Sequence, residues 1–253
     1  MVARRTGIGG EASRAQARTR ELVRAIARNE TPTLGSGTPT REPALAVLGA
    51  TGRAGRRVVE YALADGHLVR ALARRPDALA DLAHPRLTVI AGDATHAADV
   101  ARLVDEADAV VSALGGGTTA APGTARSDGV RHAAAALVAR GTPDARLLVV
   151  AGGGILDAPE GGLRQERPAF PAVFRLVSAE HRRAWEAVRD TPLAWTMVCT
   201  GDIVPGERTG VWRALADVMP EGGRRISVED LAAFVLEELA VGRYVRRRVG
   251  LAY

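Results

Sequence analysis

Three glycines within the seven residues from Gly49 to Gly55 are the part of this sequence best suited to chemistry. The segment reads Gly-Ala-Thr-Gly-Arg-Ala-Gly, and it lies between an apolar run, Ala44 to Leu48, and a helical pattern, Arg56 to Ala64. Glycines at this spacing allow a tight turn, a close approach of backbone to a pyrophosphate, and close packing of a helix on a strand. The amides at the start of the helix then face the phosphates with a partial positive charge. A strand, a glycine-rich turn and a helix in this order predict a dinucleotide site.

The end of the second apolar run indicates which dinucleotide is bound. A strand that binds NAD usually ends in Asp or Glu, which takes the ribose 2′-hydroxyl. Here the run from Leu68 ends in Arg74 and Arg75, and the first carboxylate is that of Asp77. A guanidinium pairs with a 2′-phosphate, which a carboxylate would repel, and Arg53 could approach the same phosphate from the glycine turn. We therefore expect NADP (NADPH) as the cofactor; the alternative is that these arginines are solvated surface charges.

The elements that must position these residues follow from the apolar pattern. From residue 44 onward apolar runs alternate with helical patterns, as in a parallel sheet covered on both faces. We predict strands near 44–48, 68–73, 87–91, 108–113, 146–151 and 194–199, and helices near 54–65, 98–106, 127–140, 178–190 and 229–240. The fold class is therefore α/β, a Rossmann doubly wound parallel sheet with helices on both faces, in a single domain spanning 43–253.

Two predicted loops and several strand ends complete the expected site. In open parallel sheets ligands bind beyond the carboxyl ends of the strands, so loops near 155–175 and 200–225 are placed to cover a substrate; the second loop has a possible helix at 211–218. Asp93 could accept a hydrogen bond from adenine or cap a helix, and Gly152–Gly154 could lie beside the nicotinamide or form a flexible turn. The expected cofactor-binding residues are Gly49, Thr51, Gly52, Arg53, Ala54, Gly55, Arg74, Arg75, Asp93, Ala113, Leu114, Gly115, Ala151, Gly152, Gly153, Cys199 and Thr200.

Composition excludes several chemistries. All 34 basic residues of the 253 are arginine, so a Schiff-base lysine, a P-loop lysine and a Tyr/Lys pair are ruled out. The single cysteine, Cys199, excludes an internal disulfide and a cysteine-based metal cluster, and we expect no metal. No apolar run approaches the roughly 20 residues that span a bilayer, and no secretory signal is evident. We expect a cytoplasmic protein, a monomer or homodimer, with no membrane partner.

The N-terminal segment 1–42 is predicted to be a flexible, disordered basic extension. Residues 1–43 hold eight arginines and four acidic residues, a net charge of +4 out of +5 for the whole chain. Ala12 to Arg28 could form a short helix, and Thr31 to Pro43 has the composition of a linker. A basic tail can bind nucleic acid, but this one lacks aromatic residues for base stacking. We therefore expect no nucleic-acid partner.

Further motifs resemble those of the atypical short-chain dehydrogenase/reductases, in the NAD(P)H-binding branch that includes biliverdin-IXβ/flavin reductases and NmrA-like proteins. The resemblance spans residues 44 to about 240 and is carried by these segments: Leu48–Gly55, Ala71–Arg75, Gly92–Asp93, Asp108–Ser112, Asp128–His132, Leu193–Met197 and Ile226–Leu231. It implies a Rossmann domain in which Thr51, Arg53 and Arg74 contact the phosphates of NADP.

The chain departs from the members of this family that use acid catalysis. Those members carry a serine after the fifth strand and a Tyr/Lys pair on the next helix, whereas this chain has Gly153, Ser178 and Arg182 at the matching positions. A serine hydroxyl cannot replace a phenol of pKa about 10 as proton donor. The flavin-reductase branch also lacks the pair and resembles this chain in a helical histidine, here His181. With a pKa near the working pH His181 could donate a proton; the alternative is a surface histidine between Glu180 and Arg182.

Three functions remain open at this stage. The leading one is an NADPH-dependent reductase that transfers hydride to a flat conjugated small molecule, such as a flavin, a quinone, a tetrapyrrole or a related secondary metabolite. The second is a non-catalytic NADP-sensing protein of the NmrA type, which the missing catalytic groups favour. The third, an isomerase or epimerase that retains its nicotinamide, is disfavoured because such enzymes normally need the Tyr acid/base.

Overall fold

The computed structural model describes residues 42–142 and 145–253. Almost all of the predicted basic extension, including its possible helix at 12–28, lies outside these residues. The first described residue, Glu42, is exposed, and its carboxylate is 2.9 Å from a guanidinium nitrogen of Arg86.

The described residues form an eight-stranded sheet and a small second sheet. The strands are β1 (Ala44–Leu48), β2 (Leu68–Ala73), β3 (Leu87–Ala91), β4 (Ala109–Ser112), β5 (Arg146–Gly152), β6 (Ala194–Thr200), β7 (Asp202–Val204), β8 (Arg213–Ala216), β9 (Arg225–Ser227) and β10 (Arg247–Ala252). In the large sheet their order is β3-β2-β1-β4-β5-β6-β10-β8, and β7 pairs with β9. All neighbours in the large sheet are parallel except β8, which runs antiparallel to β10. The predicted doubly wound α/β fold is confirmed.

Helices cover both faces of the large sheet. They are α1 (Arg53–Ala64), α2 (Ala97–Val104), α3 (Ala125–Ala139), α4 (Arg175–Glu186) and α5 (Val228–Val241). Helices α1 and α5 contact each other on one face, and α2, α3 and α4 pack in sequence on the other. Side chains alternate between the faces, since successive residues of a strand point to opposite sides: in β1, Leu45 and Val47 join one core cluster while Ala46 and Leu48 join the other.

A buried ion pair ties the strands to the C-terminal part of the chain. A guanidinium nitrogen of Arg146 lies 3.0 Å from a carboxylate oxygen of Glu238, and each side chain is 2% exposed. The Glu238 carboxylate also accepts hydrogen bonds from the backbone amides of Arg243 at 3.0 Å and Tyr244 at 2.9 Å. These bonds hold the turn after α5, which leads into β10.

The structure corrects the prediction for residues 211–218. Instead of a helix this segment contains the edge strand β8, whose backbone pairs with β10, a strand that was not predicted. A helix is excluded at its end because Asp217 has φ of +63°, outside the right-handed helical region. A segment this short gains little from helical hydrogen bonds, whereas an available sheet edge satisfies its backbone groups.

Candidate cofactor and substrate site

The glycine turn between β1 and α1 is too tightly packed for side chains. Gly49 has φ of +81°, and a Cβ there would lie 2.5 Å from the carbonyl oxygen of Ala113. A Cβ on Gly55 would lie 2.2 Å from the carbonyl oxygen of Gly49, and one on Gly52 would lie 3.3 Å from the same oxygen. The three glycines therefore let the turn pack directly on itself and on the backbone that follows β4.

The N-terminus of α1 supports the binding of an anion. The helix begins after Gly52, which supplies no side-chain cap, and its first turn contains no acidic residue. Its first amides therefore have no intrahelical partner and carry the positive end of the helix dipole. A phosphate group placed against these amides would satisfy both features.

A cavity of about 480 Å³ opens beside this helix end, at the carboxyl ends of the central strands. It brings together seven of the predicted cofactor-binding residues: Gly49, Thr51, Gly52, Arg74, Asp93, Leu114 and Gly115. Gly116 and Gly117, which continue the glycine run expected to pass close to the cofactor after β4, also line it. The sequence analysis missed Thr95 and Thr124, which line it as well. We call this space the first cavity.

Arg74 stands at the rim of the first cavity, directly after β2. Its side chain is exposed and makes no hydrogen bond or ion pair with the residues that the structure describes. Arg75 is exposed as well, but it precedes the 3-10 turn Pro76–Leu82 and does not line the cavity. The guanidinium of Arg53 is directed towards the carbonyl oxygen of Ile203, at 3.4 Å, and so does not join Arg74.

Asp93 lies in the wall of the first cavity but is partly occupied by its own loop. One carboxylate oxygen accepts hydrogen bonds from the backbone amide and the hydroxyl of Thr95, both at 2.9 Å. These bonds, the backbone one first, keep the pKa of Asp93 below its ordinary value. The carboxylate is therefore ionised at neutral pH, and its other oxygen is the acceptor that remains for a ligand.

A second cavity of about 380 Å³ lies beyond the ends of β5 and β6, next to the end of β4 that borders the first. Gly152, Gly153 and Gly154 form its floor. A Cβ on Gly153 would lie 2.7 Å from Cε of Met219, and one on Gly154 would lie 2.9 Å from Cζ of Phe170. The glycines thus allow Met219 and Phe170 to pack closely on this backbone, and these apolar side chains line the cavity beside it. Residues of both predicted substrate loops line this second cavity, among them Arg164, Phe170, Asp202, Met219 and Arg224.

Arg248 holds the backbone that follows Gly152, Gly153 and Gly154. This side chain is largely buried in β10, and one of its nitrogens donates to the carbonyl oxygen of Ile155 at 2.6 Å, at the end of the 3-10 turn Gly153–Ile155. A second nitrogen donates to the carboxylate of Asp157 at 2.8 Å. The guanidinium also lies 4.4 Å from the ring centroid of Trp185. The floor is therefore held by a charged and stacked side chain, which favours a single geometry.

His181 projects from α4 into the second cavity rather than into bulk solvent. Its Cδ2 atom lies 3.2 Å from the place a Cβ on Gly152 would take. Burial lowers the pKa of His181 to about 4, and the positive charge of Arg126 adds to this effect while Glu180 opposes it. The expectation of a pKa near the working pH is therefore wrong. At neutral pH the ring is uncharged and can orient a ligand, but it does not serve as an imidazolium acid.

The positions that match the Tyr/Lys pair separate in the structure. Ser178 lines the second cavity, and its hydroxyl is buried without a hydrogen-bond partner among the described residues. Arg182 does not line either cavity and instead pairs with Glu166 and Glu186, each at 2.8 Å. No strong proton donor thus replaces the missing phenol at these two positions.

The other predicted residues divide into backbone neighbours and core. Thr200 lines the second cavity. Six of the predicted residues line neither cavity: Arg53, Ala54, Arg75, Ala113, Ala151 and Cys199. Gly55 does not line a cavity either, but its lack of a side chain allows the tight glycine turn. Cys199 is fully buried in the core, where burial raises the pKa of its thiol far above the ordinary value. A protonated, inaccessible thiol is unsuited to nucleophilic chemistry.

The described residues contain neither a cluster of metal ligands nor a helix able to span a membrane. Across 42–142 and 145–253, no three side chains of the His, Cys, Asp or Glu type are grouped so that they could hold a metal ion. Within the same ranges, none of the helices has both the length and the apolar character needed to cross a bilayer.

Comparisons with known proteins agree with this geometry. A solved structure from Burkholderia pseudomallei, a candidate exported protein, is 31% identical, with a TM-score of 0.68, and the match covers 83% of this chain and all of that one. A candidate NADH-flavin reductase from Streptococcus pneumoniae is 27% identical over 83% of this chain and 99% of its own, with a TM-score of 0.68. The anaerobilin reductase ChuY from Escherichia coli O157:H7 shares the fold, at 22% identity over 83% of this chain and 96% of its own, with a TM-score of 0.66.

The comparison with protein families covers most of the chain. The family model described as NAD(P)H-binding matches residues 49–241, from the first glycine of the turn to the end of α5. This range contains both cavities and agrees with the resemblance to the atypical short-chain dehydrogenase/reductases. The chain therefore belongs to the NAD(P)H-binding family.

Proposed function

We propose that this protein is an NADPH-dependent reductase that transfers hydride to a flat conjugated acceptor, such as a flavin, a quinone or a tetrapyrrole. The observation that carries the proposal is a cavity of about 380 Å³, lined by Gly152, Gly153, Gly154 and apolar side chains, beside the dinucleotide cavity. A ring stacked on a nicotinamide needs width and orientation before it needs a protein acid. The names of the flavin and anaerobilin reductases support this acceptor class.

The residues present fit a nicotinamide dinucleotide. The turn at Gly49 packs directly on the backbone of Ala113, and the uncapped start of α1 offers amides to a pyrophosphate. Thr51 and Gly52 line the same space, and the free guanidinium of Arg74 would hold a 2′-phosphate. When bound, the reduced nicotinamide supplies a hydride to the acceptor.

This chain's own groups would bind and orient the acceptor rather than protonate it. Phe170 and Met219 provide apolar contacts on either side of the glycine floor. His181, neutral at pH 7, can exchange a hydrogen bond with a ring heteroatom, since an uncharged imidazole has one donor and one acceptor nitrogen. A proton for the reduced product would come from water at the open mouth of the cavity.

A second candidate is a non-catalytic NADP sensor. The separation of Ser178 from Arg182, which is committed to Glu166 and Glu186, favours it because the usual acid pair of the family is missing. A sensor would bind NADPH in the first cavity and would leave it unoxidised. The two candidates therefore differ in a single measurable step.

The experiment follows NADPH absorbance with FMN, riboflavin, a quinone and a tetrapyrrole, beside an NADPH binding titration. Gly153→Val is the test variant, because a Cβ there would already lie 2.7 Å from Met219; it should abolish turnover while NADPH binding stays intact. Ala139→Val is the matched control, since Ala139 is exposed on α3 and lines neither cavity. Tight NADPH binding without oxidation by any acceptor would contradict the reductase and favour the sensor.

We also propose that the reductase works in the cytoplasm as a monomer or homodimer. The NADP⁺ released after hydride transfer must be re-reduced by other enzymes, and the cytoplasmic pool provides for this. Cell fractionation and light scattering of the purified protein test the two statements. Recovery of the protein outside the cytoplasm, or as a larger assembly, would contradict them.

A further inference from the structure

We propose that the acceptor carries an oxyanion arm, a phosphate or a carboxylate, and that Arg164 binds this arm. The inference rests on the proposed function for the location of the acceptor ring over the glycine floor. It adds a charge requirement that neither the family nor the flat cavity by itself imposes.

The position of Arg164 is the first argument. Its guanidinium reaches over the glycine floor, with Nη1 3.8 Å from the place that a Cβ on Gly153 would occupy. The residue is half-buried, and its backbone is held by a hydrogen bond from its amide to the carbonyl oxygen of Leu156 at 2.9 Å. Arg164 is therefore held at the edge of the space where a ring would lie.

The lack of a partner is the second argument. In the described part of the chain, the Arg164 side chain has no hydrogen bond, and no carboxylate lies within 4 Å of it, although many other arginines are paired. The nearby acids are committed elsewhere: Glu166 pairs with Arg182 at 2.8 Å and accepts from the amide of Leu163 at 2.9 Å. A half-buried cation without a partner is costly, and a ligand anion would offset that cost.

The charge of the second cavity is the third argument. Its charged lining residues are Arg164, Arg224 and the single acid Asp202, so its formal charge is +1. Asp202 and Arg224 are exposed, and the Asp202 carboxylate is not within 4 Å of either arginine. Glu160 lies in an adjoining surface depression, and its carboxylate is not within 4 Å of Arg164. A cleft of one sign attracts ligands of the other. Because Arg164 does not line the first cavity, the phosphates of the cofactor do not account for it.

Matched acceptor pairs test the arm directly. FMN and riboflavin share one ring and differ by a phosphate, and biliverdin and its dimethyl ester differ in their carboxylates. We expect Arg164→Gln to raise the KM for FMN or for biliverdin about tenfold, as for loss of one charge-assisted hydrogen bond, and to leave riboflavin and the ester within about twofold. Arg167→Gln is the control, since Arg167 is also half-buried but lines only the adjoining depression.

Equilibrium binding separates this inference from the proposed function. Flavin fluorescence or tetrapyrrole absorbance, titrated in the presence of NADP⁺, reports the same pairs without any turnover. If no acceptor oxidises NADPH but the charged probe of a pair binds more tightly and loses this advantage in Arg164→Gln, the reductase fails and the anion site stands. The inference would be overturned if the charged and uncharged probes of both pairs bound with equal affinity, or if neither charged probe bound. It would also be overturned if Arg164→Gln weakened the binding of NADPH instead of the binding of the charged probes.

Discussion

Reversal of the charge at Arg74 is the sharpest test of the cofactor assignment. Arg74 is exposed and makes no hydrogen bond or ion pair within the described residues, although its charge helps to lower the pKa of Asp93. A 2′-phosphate carries close to two negative charges, and one guanidinium at about 4 Å contributes about 1 kcal/mol for each charge in water-like surroundings. Arg74→Gln should therefore cost about 2 kcal/mol, or about 30-fold in the Kd for NADPH. Arg74→Glu reverses the sign and should cost about 4 kcal/mol, or about 1000-fold.

The binding of NADH provides the internal reference for this prediction. NADH has no 2′-phosphate, and a glutamate at this strand end can accept a hydrogen bond from its 2′-hydroxyl, so its Kd should stay constant or fall. The assay is a titration of each dinucleotide by fluorescence, at low and at high salt, because screening should shrink the difference. Arg75→Glu is the matched control, since Arg75 is exposed but does not line the cavity. An Arg74→Glu protein that keeps the wild-type ratio of NADPH to NADH affinity would refute the reasoning.

Three further predictions concern the acceptor floor, pH and stability. Gly154→Ala places a Cβ 2.1 Å from the Ser178 hydroxyl oxygen, so kcat/KM for the acceptor should fall by about tenfold or more while the Kd for NADPH is unchanged. The pKa of His181 is about 4 in the folded chain, against an ordinary value of 6.5. As the pH falls from 6.5 to about 4, His181 is therefore protonated in the unfolded chain but not in the folded one. The free energy of unfolding should then drop by up to about 3 kcal/mol, and His181→Gln should lessen the drop measured in urea. Arg146→Ala leaves a buried carboxylate unpaired and should cost about 3–5 kcal/mol in the same urea titration.

Controls for these three predictions are available within the chain. Ala139→Val, at an exposed residue that lines neither cavity, should match wild type in kcat/KM, and an equal loss there would show that Gly154 has no special role. His84→Gln, at an exposed histidine, should keep the wild-type pH dependence of stability. Arg189→Ala, at an arginine that is 46% exposed, should change the free energy of unfolding by no more than about 1 kcal/mol.

The part of the fold that local pattern controls was predictable. The apolar runs gave β1 and β2 at their observed limits, because a strand buried on both faces must be apolar along its length. The end of the chain was not predictable in this way. The run Arg247–Ala252 carries two arginines, and the pairing of β10 with β6 and β8 depends on partners distant in sequence.

In the candidate site, too, features set by neighbouring residues were predictable and features set by tertiary contacts were not. Gly49, Gly52 and Gly55 could be assigned from spacing, since a turn of this kind is a local structure with local requirements. The environment of His181 could not, because its lowered pKa arises from burial beside Gly152 and from the charge of Arg126, and α4 meets these only in the folded chain.

The sequence by itself determined the strand-turn-helix that binds a dinucleotide, the absence of lysine chemistry, and the arginine at the end of β2. Those features are properties of neighbouring residues, so folding does not alter them. Only the tertiary structure decided that Cys199 lies in the core, that Arg53 turns towards Ile203, and that Arg164 reaches over the glycine floor without a partner. The physical reason is that burial and charge pairing depend on groups far apart along the chain, which the packing of the sheet and its loops brings together.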